Sequence, residues 1–224
     1  SGVRRVGWTD GTPLDTIKER AHAHGATVND LLLGALAGAL RRHLEASGDA
    51  LDDVVRAIVP VNLRPARSIE EMAPALGNRF GLVFLELPVD AATPAARLSR
   101  VAAEMERLKK SREPAVAFGI LNALGASPPG VEHAVAEVFR RKASLVATNV
   151  PGPKRPLSFA GAPLRSILFW VPHPAKLALG ISILSYAGVV RVGVRSDVAV
   201  LADPSRIAQA FDDELRSLGV EGRG

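Results

Sequence analysis

The sequence predicts an α/β domain in which helices flank a mixed β-sheet, and three observations support this. The 224 residues are 47% hydrophobic, which is enough to bury a substantial core in one large domain or at most two small ones. Only 4% are aromatic, so Leu, Val, Ile and Ala must fill that core; this favours helix-on-sheet layers and leaves α+β as the alternative class. The apolar period also changes from helical to alternating after about residue 144.

Two helices are predicted near the amino terminus. Thr12 and Pro13 are suited to cap and start a short first helix. The second helix is clearer, because its apolar residues recur at intervals of three and four from Val28 to Leu44. Gly34 and Gly38 lie within this stripe and predict that a neighbouring backbone approaches closely.

Two strands and three helices are predicted in the middle of the chain. Residues 54–63 and 78–89 are apolar, rich in β-branched residues and bounded by Pro or Gly, as is typical of strands. Residues 94–111 have helical spacing and finish in the basic run Arg107 to Arg112, whose cations suit the negative end of the helix dipole. Further helical patterns lie at 115–124 and 130–142.

Four strands and a last helix complete the predicted domain. The strands lie at 144–150, 164–171, 177–186 and 189–195. Ala187 and Gly188 predict a two-residue hairpin turn between the last two strands. Asp203 and Pro204 are suited to cap and start the final helix, which extends to about Leu218.

Composition excludes several kinds of chemistry. The chain has no cysteine, which excludes disulfides, thiolate metal sites and a cysteine nucleophile. The longest apolar stretch, Leu31 to Leu40, is too short to span a bilayer, and the first five residues lack the apolar run of an export signal, so we expect a cytoplasmic protein. The net charge of +5 is compatible with nucleic acid, anionic lipid or a phosphorylated cofactor as partner.

Familiar catalytic motifs are also missing. Residues 180–184 lack the second glycine of a nucleophile elbow, and neither a dinucleotide-binding glycine motif nor a phosphate-binding Gly-Lys-Ser/Thr loop occurs. His22 and His24 are two apart on a predicted helix and therefore cannot clamp one metal ion. His43 and His133 lie beside charged residues on predicted helices, and His173 lies in a loop between two prolines.

What remains is a set of polar residues where apolar ones would be expected. They open the second helix or stand at strand ends: Asn29, Asp30, Asn62, Arg64, Asn78 and the segment from Thr148 to Pro153. Each has a structural interpretation as well as a functional one. Thr27 and Asp30 have the spacing of a capping box, and the Pro-Gly-Pro after Asn149 is suited to a rigid turn.

Five motifs in order resemble the second half of bacterial wax ester synthase/diacylglycerol acyltransferases, over nearly the whole chain. They are Thr27-Val-Asn-Asp-Leu-Leu-Leu33, Pro60-Val-Asn-Leu-Arg64, Gly77-Asn-Arg-Phe-Gly81, Thr148-Asn-Val-Pro-Gly-Pro153 and Ser185-Tyr-Ala-Gly188. The resemblance implies that residues 1–224 form one lobe of a chloramphenicol-acetyltransferase-like two-lobed fold. Between such lobes runs a tunnel in which acyl-CoA meets a long-chain alcohol or diacylglycerol.

The resemblance also implies where the chemistry lies. A histidine of a His-His-x-x-x-Asp-Gly motif would act as general base on the acceptor hydroxyl. The only Asp-Gly here, Asp10-Gly11, has no upstream histidine, so we expect the catalytic residue in an amino-terminal lobe that this chain lacks. This chain would need no metal or cofactor, with acyl-CoA as substrate. It would contribute the supporting pair Asn29 and Asp30, and the substrate-binding residues Asn62, Arg64, Asn78, Asn149, Pro151, Gly152 and Pro153.

Partners and alternatives follow from the same resemblance. One expected partner is the amino-terminal lobe, as part of the same chain or as a cleaved chain. The protein is also expected to contact the surface of a membrane or lipid droplet peripherally. The basic runs Arg107 to Arg112 and Arg140 to Lys142 are candidates for contact with CoA phosphates. Nucleic-acid binding is disfavoured because aromatic residues do not interleave with these runs. The main alternative is a non-catalytic lobe that binds acyl chains or a protein partner.

Overall fold

The computed structural model describes residues 2–52, 54–63, 80–125, 142–171, 177 and 179–220. Its helices are α1 (Leu14–Ala23), α2 (Val28–Ser47), α3 (Pro94–Lys110), α4 (Glu113–Gly125) and α5 (Ser205–Ser217). Its strands are β1 (Arg4–Trp8), β2 (Thr12–Pro13), β3 (Val55–Asn62), β4 (Phe80–Leu87), β5 (Leu145–Pro151), β6 (Ser158–Phe159), β7 (Ala162–Pro163), β8 (Leu179–Tyr186) and β9 (Val189–Asp197). Among the described helices, none is both long and apolar enough to span a membrane.

The main sheet is mixed, as predicted. Its order is β1-β9-β8-β5-β3-β4, with β2 also paired to β9, while β6 and β7 form a separate small hairpin. The central strand β5 runs parallel to both β3 and β8, and the other pairs are antiparallel. Ala187 and Gly188 both have positive φ, of 48° and 78°, which confirms the two-residue turn between β8 and β9.

At one end of the sheet, strands β3 and β5 are no longer paired. The register of β3 with β5 covers two residue pairs, Ala57 with Leu145 and Ile58 with Val146. The register of β5 with β8 continues seven residues along, as far as Pro151 with Ser185. The carboxyl end of β5 is therefore held in the sheet through β8, and its last residues are free to approach the helices.

The main core lies between one face of this sheet and the helices. Alternate strand residues point to that face, among them Leu145 and Ala147 of β5 and Ile181 and Ile183 of β8, and they share one cluster with apolar residues of α1, α2, α3 and α5. A smaller cluster on the opposite face joins Ile58, Ala143 and Leu177.

Helix α2 is the centre of the helical layer. A methyl group added at Gly34 would lie 3.2 Å from the Cα of Leu98 in α3, and one added at Gly38 would collide with the Glu214 carboxylate of α5. The predicted close approach of a backbone is confirmed at Gly34, whereas the near neighbour of Gly38 is a side chain. Glu214 in turn forms a buried ion pair with Arg97, which links α5 to α3.

Two predictions about the ends and edges of the sheet were wrong, and one strand was not predicted. Thr12 does not cap α1, since Thr12 and Pro13 pair as β2 with Val190 and Val189 of β9. Strand β1, at the edge of the sheet, was not predicted, because it has only five residues and begins with two arginines. Residues 164–171 form no strand; they cross the outer face of the sheet, where the Ser182 hydroxyl donates a 2.5 Å hydrogen bond to the Phe169 carbonyl.

Some predictions fall outside the described residues. These concern most of the helix predicted at 130–142, the basic pair Arg140 and Arg141, and the residues Arg64, Asn78, His133 and His173. The remaining helices and strands agree with the predictions to within a few residues at their ends, as is usual for element boundaries.

Candidate substrate groove at the start of helix α2

The fold brings together two of the polar motifs. The Asn149 side chain donates a hydrogen bond from Nδ2 to Oδ1 of Asn29, across 120 residues of sequence, at 3.4 Å. Strand alternation explains the meeting, because Leu145, Ala147 and Asn149 share one face of β5. The first two are buried in the core, and the third reaches the first turn of α2. A distance of 3.4 Å is at the long end for a hydrogen bond, so this contact contributes little to stability.

The two asparagines line an open groove of about 380 Å³, called here the α2 groove. Its apolar lining residues are Leu14, Val28, Leu32, Pro151 and Val190. Its polar lining residues are Thr27, Asn29, Lys109, Asn149 and Ser185. A mostly apolar concavity with a few convergent polar groups is the usual form of a small-molecule site.

Asp30 has a different environment from its neighbour Asn29. Its backbone N–H donates to the Thr27 hydroxyl oxygen at 3.2 Å, and its carboxylate accepts from the Thr27 backbone N–H at 3.0 Å and from the Thr27 hydroxyl at 2.7 Å. The capping box is therefore confirmed. Asp30 is 5% exposed and does not line the α2 groove, and the hydrogen bonds described for it hold the first turn of the helix.

The segment from Asn149 to Pro153 is fixed against the end of β8, and its first three residues, predicted as part of a rigid turn, continue strand β5. The Gly152 N–H donates to the Ser185 carbonyl at 2.9 Å, and the Ala187 N–H donates to the Pro153 carbonyl at 2.9 Å. A side chain at Gly152 would collide with the Ser185 carbonyl oxygen. Glycine is needed here for close approach, and these contacts join the Asn-Val-Pro-Gly-Pro motif to the Ser-Tyr-Ala-Gly motif.

Asn62 lies away from the groove. It ends β3 and alternates with Val59 and Val61, which pack into the main core, so it occupies the opposite face of the sheet. Asn62 is exposed and pairs in register with Phe80 of β4. The structure thus groups Asn149 and Pro151 with Asn29 but separates Asn62 from them.

The three cations in the last turn of α3 differ in their surroundings. Arg107 donates two hydrogen bonds to Glu104, at 2.6 and 2.8 Å, and Lys110 donates one to Glu106 at 2.6 Å. The hydrogen bond from Arg107 holds the pKa of Glu104 below its ordinary value. Lys109 instead lines the α2 groove. Lys109 was predicted only as one member of the basic run, and Ser185 only as part of a family motif, although the spacing of Glu104 and Glu106 could have identified which cations are paired.

The described histidines, His22, His24 and His43, do not line the groove. His43 lies with Arg42 and Arg206 in a separate pocket of about 120 Å³, where burial, and then the charge of Arg206, lower its pKa. Within the described ranges, no group of three or more His, Asp or Glu side chains could hold a metal ion.

The family model of the WS/DGAT C-terminal domain matches residues 76–219 of this chain. A probable diacylglycerol O-acyltransferase of Mycobacterium tuberculosis, tgs2, is 35% identical over an alignment of 225 positions, which covers 97% of this chain and 48% of the relative. A second, tgs1 of the same species, is 29% identical over 211 residues, 92% of this chain and 45% of the relative. The chain thus spans about half the length of the curated relatives it matches.

Solved structures agree on the fold. The wax ester synthase/diacylglycerol acyltransferase from Marinobacter aquaeolei VT8 superposes with a TM-score of 0.73 at 24% identity, over 97% of this chain and 49% of that one. The epimerization domain from the third module of tyrocidine synthetase B gives a TM-score of 0.60 at 15% identity, over 96% of this chain and 47% of that one. The expected chloramphenicol-acetyltransferase-like architecture is confirmed.

Proposed function

This chain belongs to the wax ester synthase/diacylglycerol acyltransferase family, and from that premise we propose that it is the carboxyl-terminal lobe of an acyl-CoA-dependent O-acyltransferase. The observation that carries the proposal is the convergence of Asn29 and Asn149 on one mostly apolar groove. Two motifs 120 residues apart would not need to meet at a concave surface if each only capped its own helix or strand. The acceptor in this proposal is a long-chain alcohol or diacylglycerol.

The proposed reaction divides between two lobes. A histidine of the amino-terminal lobe accepts the proton of the acceptor hydroxyl, whose oxygen attacks the thioester carbonyl carbon. The carbon–sulfur bond then breaks, the proton passes to the leaving thiolate, and the products are an ester and CoA. General-base assistance of this kind contributes roughly 10²–10⁴-fold to the rate. No metal or further cofactor takes part in the proposed steps.

The α2 groove supplies binding and orientation. Its apolar wall would take methylene groups of the acyl chain or the acceptor, each worth about 0.8 kcal/mol when buried. The Asn149 amide donates to Asn29, which leaves the Asn29 amide N–H groups as donors and the Asn149 side-chain carbonyl as an acceptor. One donor and one acceptor at the same groove suit a carbonyl and a hydroxyl that must be held side by side.

The proposal also includes a cytoplasmic location with peripheral contact with a membrane or lipid droplet. Its support is the hairpin of β6 and β7, which carries Phe159, 75% exposed, at its turn. Lys154 and Arg155 lie exposed a few residues before it. Exposed aromatic and basic side chains together are typical of surfaces that meet anionic lipid.

The test is an acyl-transfer assay with separate lobes. We expect the complete two-lobed protein to form ester from palmitoyl-CoA and 1-hexadecanol or a diacylglycerol, and this chain alone to form none. Addition of the amino-terminal lobe, covalently or as a second chain, should restore ester formation, and replacement of the two motif histidines by alanine should abolish it.

Two results would count against the proposal. Robust ester formation by this chain alone would show that the chemistry does not depend on a second lobe. Failure of the complete protein to form ester, with the acyl chain still bound, would favour the non-catalytic binding lobe instead. The coding sequence immediately upstream offers a quicker check, since it should encode the histidine pair.

A further inference from the structure

We propose that Lys109 is the residue of the α2 groove that receives a phosphate of the acyl-CoA substrate. This inference rests on the proposed function, because it assigns one end of the same groove to the charged part of the same substrate. It differs from the expectation that the whole basic run Arg107 to Arg112 meets CoA, since the structure gives the members of that run different surroundings.

Lys109 is the one charged side chain among the groove's described lining residues. The other polar members are the hydroxyls of Thr27 and Ser185 and the amides of Asn29 and Asn149. A single cation beside an otherwise neutral and largely apolar surface is suited to a ligand that is apolar along most of its length and anionic at one end. A fatty acyl thioester of CoA has this distribution of charge.

The placement of Lys109 follows from helix packing. Leu98, near the start of α3, packs on Gly34 of α2, whereas Lys109, near the end of α3, lies beside the residues that begin α2. The two helices therefore run antiparallel, and the carboxyl end of α3 stands beside the first turn of α2. Lys109 is exposed there and has a flexible stem, so its ammonium group can follow a mobile phosphate.

The other cations in the last turn of α3 are already paired, and Arg112, which follows the helix, does not line the groove. Arg107 pairs with Glu104 and Lys110 with Glu106, each within one turn of α3. Lys109 has no ion pair or side-chain hydrogen bond with any described residue. An unpaired ammonium group gains a full charge-assisted contact when it meets a phosphate, whereas a paired one must first lose its carboxylate.

Substrates that differ only in their phosphates provide the test. In the complete two-lobed protein, we expect Lys109→Ala to raise KM for palmitoyl-CoA by about 3- to 10-fold with kcat unchanged, as suits one solvent-accessible charge-assisted contact. KM for S-palmitoyl pantetheine, which lacks the phosphates, should not change. Lys109→Arg should recover most of the affinity for palmitoyl-CoA. Lys110→Ala, which removes the same charge one residue away, is the matched control and should behave as the wild type.

Each other outcome overturns the assignment. An unchanged KM for palmitoyl-CoA, or an equal rise for both thioesters, would show that Lys109 does not contact the phosphates. An equal rise in KM for palmitoyl-CoA in Lys110→Ala would show that the substrate responds to the overall positive charge at the end of α3 and not to a contact with Lys109. If the wild type forms no ester, the proposed function fails, and calorimetric binding of CoA then tests Lys109 separately: equal affinity of the wild type and Lys109→Ala would refute its role.

Discussion

Replacement of Asn29 by alanine separates the functional role of this residue from a structural one. The change removes the 3.4 Å hydrogen bond from Asn149 and leaves the cap of α2 intact, because Thr27 and Asp30 make that cap. A long, neutral and partly exposed hydrogen bond is worth about 0.5 kcal/mol. Alanine regains a similar amount, since its helix propensity exceeds that of asparagine by about 0.5 kcal/mol. The net change in unfolding free energy should therefore be close to zero.

The effect of Asn29→Ala on activity should be larger. Loss of one neutral hydrogen bond to the substrate costs about 0.5–1.5 kcal/mol, which corresponds to a fall of about 2- to 12-fold in kcat/KM. The assay is ester formation from palmitoyl-CoA and 1-hexadecanol by the complete protein, with Tm measured on the same preparation. We expect Tm to stay within about 2 °C of the wild type, at about 2–4 °C per kcal/mol for a domain of this size.

Asp30→Ala is the matched comparison. It breaks the capping box, which should cost about 0.5–2 kcal/mol and lower Tm by several degrees. The activity of this variant should fall only to the extent that loss of the capping box disorders the first turn of α2. The reasoning is refuted if Asn29→Ala retains full activity, or if its activity falls in proportion to a lowered Tm as in the Asp30 variant.

Three further predictions concern buried contacts. Glu214→Leu leaves the Arg97 cation buried without its carboxylate and should lower the unfolding free energy, measured in urea, by about 3–5 kcal/mol. Burial raises the pKa of Asp212 to about 6, above its value in the unfolded chain. The protonated form is therefore favoured in the folded state, and this contribution to stability is complete below about pH 4 and is lost as pH rises through 6. Asp212→Asn should therefore flatten the pH dependence of stability over that window and raise stability at pH 7 by about 1 kcal/mol, after allowance for solvent screening. Gly152→Ala forces a methyl group against the Ser185 carbonyl and should cost about 1–3 kcal/mol in urea unfolding and also reduce ester formation.

Each of these predictions has an internal control. Replacing both members of the Arg97–Glu214 pair by apolar residues should recover much of the loss, because no buried charge then remains unpaired. An unchanged pH profile of the Asp212 variant would show that another group sets it. Gly119 has open space around it and lies in α4, so Gly119→Ala should be neutral or slightly stabilising. A similar loss in both glycine variants would contradict the steric argument at Gly152.

The sequence predicts those parts of the fold that depend on local pattern. Helix α2 has a capping box at its start and a regular apolar stripe, and strands β8 and β9 have a recognisable turn between them, so both were found. The edge strand β1 was missed because what makes it a strand is its partner β9, far away in sequence. The hairpin of β6 and β7 was missed for a related reason, since each of its strands has only two residues.

In the candidate site, too, local contacts could be predicted from the sequence and contacts between distant segments could not. Asn29 and Asn149 stand out in the sequence as polar residues in apolar surroundings, but their contact depends on the packing of α2 against β5. The capping box at Asp30 could be predicted because its partners are three residues apart. The position of Lys109 at the groove could not be predicted, because it is set by the antiparallel packing of α3 on α2 at Gly34.

The pairing of β1 with β9 also has a consequence for how the protein is made. Arg4 and Asp197 are register partners 193 residues apart, so β1 emerges from the ribosome well before the strand that will hold it. At about 5–20 residues per second, this interval is about 10–40 s. During that time Val6 and Trp8 have no neighbouring strand, and a chaperone or an earlier part of the nascent chain has an opportunity to bind them. Synthesis of β9 ends this interval, which makes closure of the sheet edge a late step in folding.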